Sequence, residues 1–281
     1  MTPHKTFEPR GSVCVVTGGG SGIGSALCVE LGNRGASGVV VADLSLERAQ
    51  KVAQRLPPGV GHAVRVDCSV ELDIRRLIVN TEFSVGPIDA FFCNAGIPCN
   101  GGPEVPNDEW MRIWSVNVMQ TVYVSRHLFP LYQKRKKGSL VVTASAAGLL
   151  TQVGSLPYSV TKHASVGLAE WLHITYASQG ISVSCLCPQA VKTGFLGDGS
   201  SKMGAGGAAG VDGVLSAEDV AIDTLDATQE GKFLILPHKT VAKYFLRKAS
   251  DYQRWLRGMQ KLHASYGRVM LTVPNFSAAK L

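Results

Sequence analysis

Short valine-rich runs alternate along this chain with longer segments whose apolar residues recur every three or four positions. This alternation restricts the fold more than any other feature. The short runs read as strands over 13–17, 38–42, 62–66, 90–93, 139–143, 182–186 and 233–236, and the clearest helical stretches are 22–34, 45–55, 71–85, 107–132 and 158–179. Strand and helix in turn imply βαβ units, a parallel sheet and right-handed crossovers that place helices on both faces. The expected fold is therefore α/β: one doubly wound domain with a seven-stranded parallel sheet. It spans 1–238 and is followed by a basic amphipathic helical tail over 239–281.

Composition excludes several alternatives. With 281 residues, 45% of them hydrophobic and 17% charged, and with no run of eighteen consecutive apolar residues, the chain reads as neither collagenous, largely disordered nor membrane-spanning. Seven cysteines, an odd number, sit largely within apolar runs and point to a reducing compartment. The segment 1–11 has no apolar centre of the kind a secretory signal needs. The net charge of +7 comes from the tail: residues 1–231 carry 18 Lys and Arg against 20 Asp and Glu, whereas residues 232–281 carry 10 against Asp251 alone. With no basic stripe over the rest of the chain, nucleic acid is not an expected partner.

Directly after the first strand comes Thr17-Gly18-Gly19-Gly20-Ser21-Gly22-Ile23-Gly24, which opens a helical pattern. A turn this tight needs residues without Cβ. Its glycines also let a backbone approach a pyrophosphate, which the free amides and positive end of the following helix favour. The second strand ends in Asp43, 19 residues beyond Gly24. A carboxylate there can accept hydrogen bonds from both hydroxyls of an adenosine ribose and repels a 2′-phosphate, which favours NAD over NADP. Leu44 and Ser45 follow, so no Arg or Lys stands immediately next to it to balance a phosphate. The other reading of Asp43 is a cap for the helix near Ser45.

Further along come Asp67 after a strand, Asn94-Ala95-Gly96, Asn117, Ser145, and Tyr158 four residues before Lys162. In this order the chain resembles a short-chain dehydrogenase/reductase over about residues 10–237. The resemblance implies a Rossmann-like fold and an NAD(H)-dependent interconversion of a small secondary alcohol and a carbonyl compound. The residues agree. Tyr158 and Lys162 share one helical face, and a phenol with a pKa of about 10 becomes a usable base at neutral pH if a nearby ammonium stabilises the phenolate. Ser145, at a strand end 13 residues before Tyr158, is placed to hydrogen-bond the substrate oxygen.

By resemblance, Tyr158 exchanges the substrate proton and also borders the cofactor, Lys162 holds the nicotinamide ribose, and Asn117 binds a water leading from Lys162 to solvent. The cofactor would lie along Gly18, Ser21, Gly22, Ile23 and Gly24, with Asp43 and Leu44 at the adenosine ribose. Asp67 and Cys68 would stand near the adenine and Asn94, Ala95 and Gly96 along the adenosine side. Pro188 and Thr193 would stand at the nicotinamide. Where the family has Pro-Gly, this chain has Pro188-Gln189. The resemblance further implies a homodimer or homotetramer. The alternative is a catalytically silent NAD(H)-binding scaffold with a basic interaction tail.

No metal site is expected. Cys185 and Cys187 share one strand face without a second pair, which reads as core packing; His163 adjoins Lys162 but points elsewhere on its helix, and His127 and His173 are isolated. The run Lys134-Arg135-Lys136-Lys137 reads as a solvated loop. The glycine-rich stretch 194–213 reads equally as a surface loop or a lid. Ala279-Lys280-Leu281 resembles a Ser-Lys-Leu import signal, which points to an import receptor and a peroxisome-like organelle such as a glycosome, with cytosol as the alternative.

Overall fold

The computed structural model describes residues 7–194, 210 and 212–270. The glycine-rich stretch beyond Gly194 and the terminal Ala279-Lys280-Leu281 lie largely or wholly outside these residues.

The sheet contains β1 (Val13–Thr17), β2 (Gly38–Asp43), β3 (Gly61–Arg65), β4 (Ile88–Cys93), β5 (Gly138–Thr143), β6 (Ile181–Leu186) and β7 (Leu234–Ile235). Their order is β3-β2-β1-β4-β5-β6-β7, and every pair is parallel. Because side chains alternate across a strand, each strand feeds two cores. Val15, Val40 and Phe91 face the core beneath α3 (Glu71–Ser84), α5 (Gln120–Arg135) and α7 (Leu156–Tyr176). Cys14, Val16, Val41 and Phe92 face the core beneath α1 (Gly22–Asn33), α2 (Leu46–Ala53) and α8 (Ala217–Gln229). The strands are apolar almost throughout because both faces are covered. Strand order reverses between β1 and β4, and a crevice at such a point is where open α/β sheets bind ligands.

Two expectations change. The stretch 107–132 is not one helix: α4 (Asn107–Trp114) passes through a π-helical turn, Ser115–Met119, before α5 begins. The wider turn accompanies the inward placement of Asn117, whose amide bonds neighbouring elements instead of solvent. The C-terminal extension is helical as expected and comprises α9 (Thr240–Ser250) and α10 (Tyr252–Met270). They divide at Asp251, in extended conformation, whose carboxylate accepts the Arg254 amide and caps α10. The second change concerns the basic run at 134–137, which is not simply a solvated loop. α5 continues to Arg135, Lys136 adopts a left-handed conformation, Arg135 pairs with Glu82, and Lys137 Nζ lies 3.0 Å from Asp89. α8 has no counterpart among the helices legible above. It starts at Ser216, whose hydroxyl accepts the Asp219 amide.

Candidate active site

The turn after β1 requires glycine at specific places. Gly18 and Gly22 have φ of +62° and +51°, where other residues are strained. A Cβ on Gly24 would overlap the Gly18 carbonyl oxygen, and one on Gly22 would meet Thr193 at 2.9 Å. α1 therefore packs directly onto the turn. Thr193 is brought against its rim. Ser21 stands at the N-cap with no side-chain cap bond, and the first turn of α1 has no acidic residue, so no side chain of this helix occupies its leading amides. Replacing Gly24 by alanine is expected to destabilise the protein by about 1–3 kcal/mol, measured as a lowered midpoint in urea unfolding.

Asp43 is 5% exposed at the carboxyl end of β2. Its Oδ2 accepts the Gly20 amide at 3.0 Å, and its Oδ1 accepts the Ser45 amide at 2.9 Å and Arg48 Nη2 at 3.0 Å. The cation absent from the next two positions is thus supplied five residues on. The first turn of α2 folds Arg48 back onto Asp43, so a cation does stand near this carboxylate although none occupies the next two positions. Ser45, not Asp43, is the N-cap of α2. Leu44 is exposed beside the carboxylate. Asp67 Oδ1 accepts both the amide and the hydroxyl of Ser69, at 2.9 and 2.6 Å. The Cys68 side chain is buried in the core under α3, where desolvation raises its pKa.

Thr17, the first residue of the glycine motif, and Gln120, which nothing in the sequence marks, organise the centre of the crevice. Thr17 Oγ1 accepts the amides of Asn94 and Ala95 at 3.0 and 3.1 Å, and the Gln120 amide donates to the Ala95 carbonyl. Asn94 Nδ2 donates to Thr17 O at 3.1 Å and its Oδ1 accepts Thr143 Oγ1 at 3.3 Å, which ties the ends of β1 and β5. Gly96 leaves room beside Asn117 and Lys162; a Cβ there would stand 3.5 Å from Lys162 Nζ.

Ser145, Tyr158 and Lys162 converge at the carboxyl end of β5. Ser145 Oγ lies 3.4 Å from Pro188 O and accepts the Ala147 amide at 3.1 Å. It also hydrogen-bonds Tyr158, which lowers the tyrosine pKa. Lys162 Nζ donates to Thr143 O at 2.8 Å and lies 5.6 Å from the centre of the Tyr158 ring. Asn117 is 3% exposed. Its side chain joins Ile97 to Thr161, and its carbonyl accepts Ser165 Oγ at 3.1 Å. It braces the π-turn against α7.

The expected low tyrosine pKa is corrected here. Burial dominates and pushes Tyr158 up to about 12, only partly offset by Ser145. The same burial pushes Lys162 down to about 8, against a smaller opposing effect from Cys187 and Cys185, so desolvation disfavours the charged form of both. Below about pH 8 the lysine is charged both folded and unfolded, and burial opposes folding in full. Between about 8 and the unfolded value of 10.5, the unfolded chain still holds a proton that the folded chain has lost, so stability rises with pH. Lys162→Met removes this dependence. Its unfolding free energy relative to wild type is expected to fall steadily from pH 8 to 10.5, measured by denaturant titration at each pH.

His127 Nε2 lies 2.9 Å from Glu71, and the Nδ1 atoms of His163 and His173 lie 2.8 and 3.0 Å from the carbonyls of Ser159 and Val183. The sulfurs of Cys185 and Cys187 lie 3.8 Å apart in the core. Among the described residues no cluster of three or more His, Cys, Asp or Glu is arranged to hold a metal, and no helix is long and apolar enough to cross a membrane.

Residues 12–203 match the short chain dehydrogenase family. A meso-2,3-butanediol dehydrogenase of Serratia marcescens is 34% identical over 182 residues, covering 64% of this chain and 72% of that protein. A 2,5-dichloro-2,5-cyclohexadiene-1,4-diol dehydrogenase of Sphingobium indicum is 36% identical over 189 residues, covering 66% and 75%. The crystal structure of a short-chain dehydrogenase/reductase from Burkholderia phymatum in complex with NAD superposes with a TM-score of 0.79 at 28% identity, covering 88% of this chain and 96% of that one. With a parallel seven-stranded sheet, a glycine turn after β1 and a matching family sequence over most of its length, the chain belongs to the short-chain dehydrogenase/reductase family.

Proposed function

We propose that this protein is an NAD(H)-dependent oxidoreductase that interconverts a secondary alcohol and a carbonyl compound. The observation that carries the reading is the meeting of Ser145, Tyr158 and Lys162 beside the glycine turn. The residues present fit a dinucleotide. Gly18, Gly22 and Gly24 keep open a cradle that Cβ atoms would fill, uncapped amides open α1, and Asp43 stands where an adenosine ribose would meet a carboxylate. The two diol dehydrogenases and the NAD complex among the relatives support the same chemistry and cofactor.

Bound NAD supplies the hydride acceptor in oxidation and, reduced, the hydride donor in the reverse direction. Ser145 Oγ holds the substrate oxygen, and Tyr158 takes its proton during oxidation and returns it during reduction. Lys162 is held against the end of β5 by Thr143 O, with its ammonium free to steady the phenolate and bond the nicotinamide ribose. The 2′-phosphate of NADP would meet the Asp43 carboxylate. Tyr158 belongs to a small apolar cluster with Ile113 and Ala147, against which Ile97 and Cys99 pack, a surrounding that favours an apolar substituent on the reacting carbon. Trp171 and Ile174, 58% and 79% exposed on α7, favour self-association through that helix. Purified protein given NAD⁺ and a panel of secondary alcohols is expected to form NADH. Binding of NADH without turnover of any of them would favour the silent scaffold.

A further inference from the structure

Two segments bracket Ser145. One leaves β5 and runs through α6 (Ala147–Leu150); the other leaves β6 at Pro188 and Gln189. They touch at Pro188, whose carbonyl accepts the Ala146 amide at 2.9 Å and the Ser145 hydroxyl at 3.4 Å. Each is also held from outside by the same helix, α9, which belongs to the C-terminal extension.

On the first side, Lys248 Nζ donates to Leu149 O at 2.6 Å. α6 is a single turn, so its last carbonyls lack partners within the helix, and Lys248 supplies one. Immediately beyond, Thr151 has φ +70°, a costly conformation for a β-branched residue that persists only where its surroundings enforce it. Lys248 anchors the chain before it. Ser159 Oγ accepts the Gln152 amide at 2.9 Å and anchors the chain after it.

On the second side, the Tyr244 hydroxyl donates to Asp212 Oδ1 at 2.9 Å, and Gln189 Nε2 donates to Asp212 Oδ2 at 3.1 Å. A carboxylate only accepts, so Asp212 fixes which end of the Gln189 amide faces it. A glycine at 189, as the family pattern has, would offer no such bond. Tyr244 and Lys248 are four residues apart and share the helix face that buries Val241 in the core. One face of α9 therefore reaches both walls of the Ser145 pocket.

We propose that α9 is a positioning element of the active site, in which Tyr244, acting through Asp212 and Gln189, and Lys248, acting through Leu149, keep Ser145 aligned with the oxygen that Tyr158 serves. This rests on the oxidoreductase reading above. Neither residue touches the reacting atoms.

The test uses the full chain and the variants Tyr244→Phe, Lys248→Met and Lys248→Arg, with Tyr158→Phe as control. Amide hydrogen exchange needs no substrate. Lys248→Met is expected to speed exchange at Gly148, Leu149 and Leu150 about tenfold, and Tyr244→Phe to do the same at Gln189 and Ala190, while β1 and β4 stay protected. With an alcohol that the wild type oxidises, kcat is expected to fall about tenfold while NADH affinity stays within about twofold, and Lys248→Arg restores most of it. Unchanged exchange in these segments overturns the proposal, as does a kcat that stays at the wild-type value. A loss accompanied by a general rise in exchange and no rescue by arginine also overturns it, because that pattern marks a fold defect. Undiminished turnover in Tyr158→Phe removes Tyr158 from the chemistry, whereas binding of NADH without turnover of any alcohol by the wild type overturns the oxidoreductase reading itself, so these failures are told apart from failure of the proposal.

Discussion

Tyr158→Phe is expected to lower kcat by about 10²- to 10⁴-fold, the range for removing a positioned acid–base group. The substitution deletes one oxygen and leaves the ring in its apolar cluster with Ile113 and Ala147, so the unfolding midpoint should hold. NADH affinity should hold as well, because the lost hydroxyl is only one of many groups offered to the dinucleotide, which run from the glycine turn and Asp43 to Lys162 and Thr193. The large effect has a specific origin. Burial pushes the phenol up to about 12, so its use as a base depends on partners that stabilise the phenolate. Ser145 is hydrogen-bonded to it, and the Lys162 ammonium stands 5.6 Å from its ring. Equal turnover in wild type and variant would remove Tyr158 from the chemistry.

Asp43→Asn is expected to move the ratio of kcat/KM for NAD⁺ to that for NADP⁺ by about 10²-fold towards NADP⁺. Hydrogen bonds from ribose hydroxyls to a charged acceptor are worth about 1.5–3 kcal/mol each, and about 1.4 kcal/mol is tenfold. The neutral amide weakens those bonds and removes the repulsion of a 2′-phosphate. It also releases Arg48, which in the native chain donates to Asp43 Oδ1 at 3.0 Å. A guanidinium freed at that place is well suited to a phosphate. Adding Arg48→Ala should therefore take back much of the gain with NADP⁺ and leave NAD⁺ kinetics little changed. An unchanged cofactor ratio in Asp43→Asn would show that the adenosine ribose is not read at this carboxylate.

Much of this arrangement is visible in the sequence because it depends on local spacing. Val-rich runs mark the strands, and the spacing of four between Tyr158 and Lys162 puts both on one face of α7. The glycines after β1 stand where a helix must approach a turn closely. What escapes the sequence depends on folding back or on distance. Arg48 reaches Asp43 only because α2 begins at Leu46. The π-turn at Ser115–Met119 looks like uninterrupted helix until Asn117 finds Ile97 and Thr161. The break at Asp251 is signalled by a capping residue, but a periodic apolar pattern on either side hides it. Thr17 and Gln120 act through hydrogen bonds to residues far along the chain, and the Gln189–Asp212–Tyr244 contacts join segments 23 and 32 residues apart. The raised pKa of Tyr158 is hidden for the same reason: sequence displays the neighbouring lysine but not the desolvation that acts on both groups.

The central claim, a Tyr158-dependent hydride-transfer site, is tested most directly at the nicotinamide absorbance band. Wild type and Tyr158→Phe are each incubated with NAD⁺ and a panel of secondary alcohols that includes meso-2,3-butanediol and 3-hydroxyacyl-CoA esters. The account predicts NADH formation by the wild type and a loss of about 10²-fold or more in the variant. NADH formation at the same rate by both proteins, or by neither although both bind NADH, would contradict it.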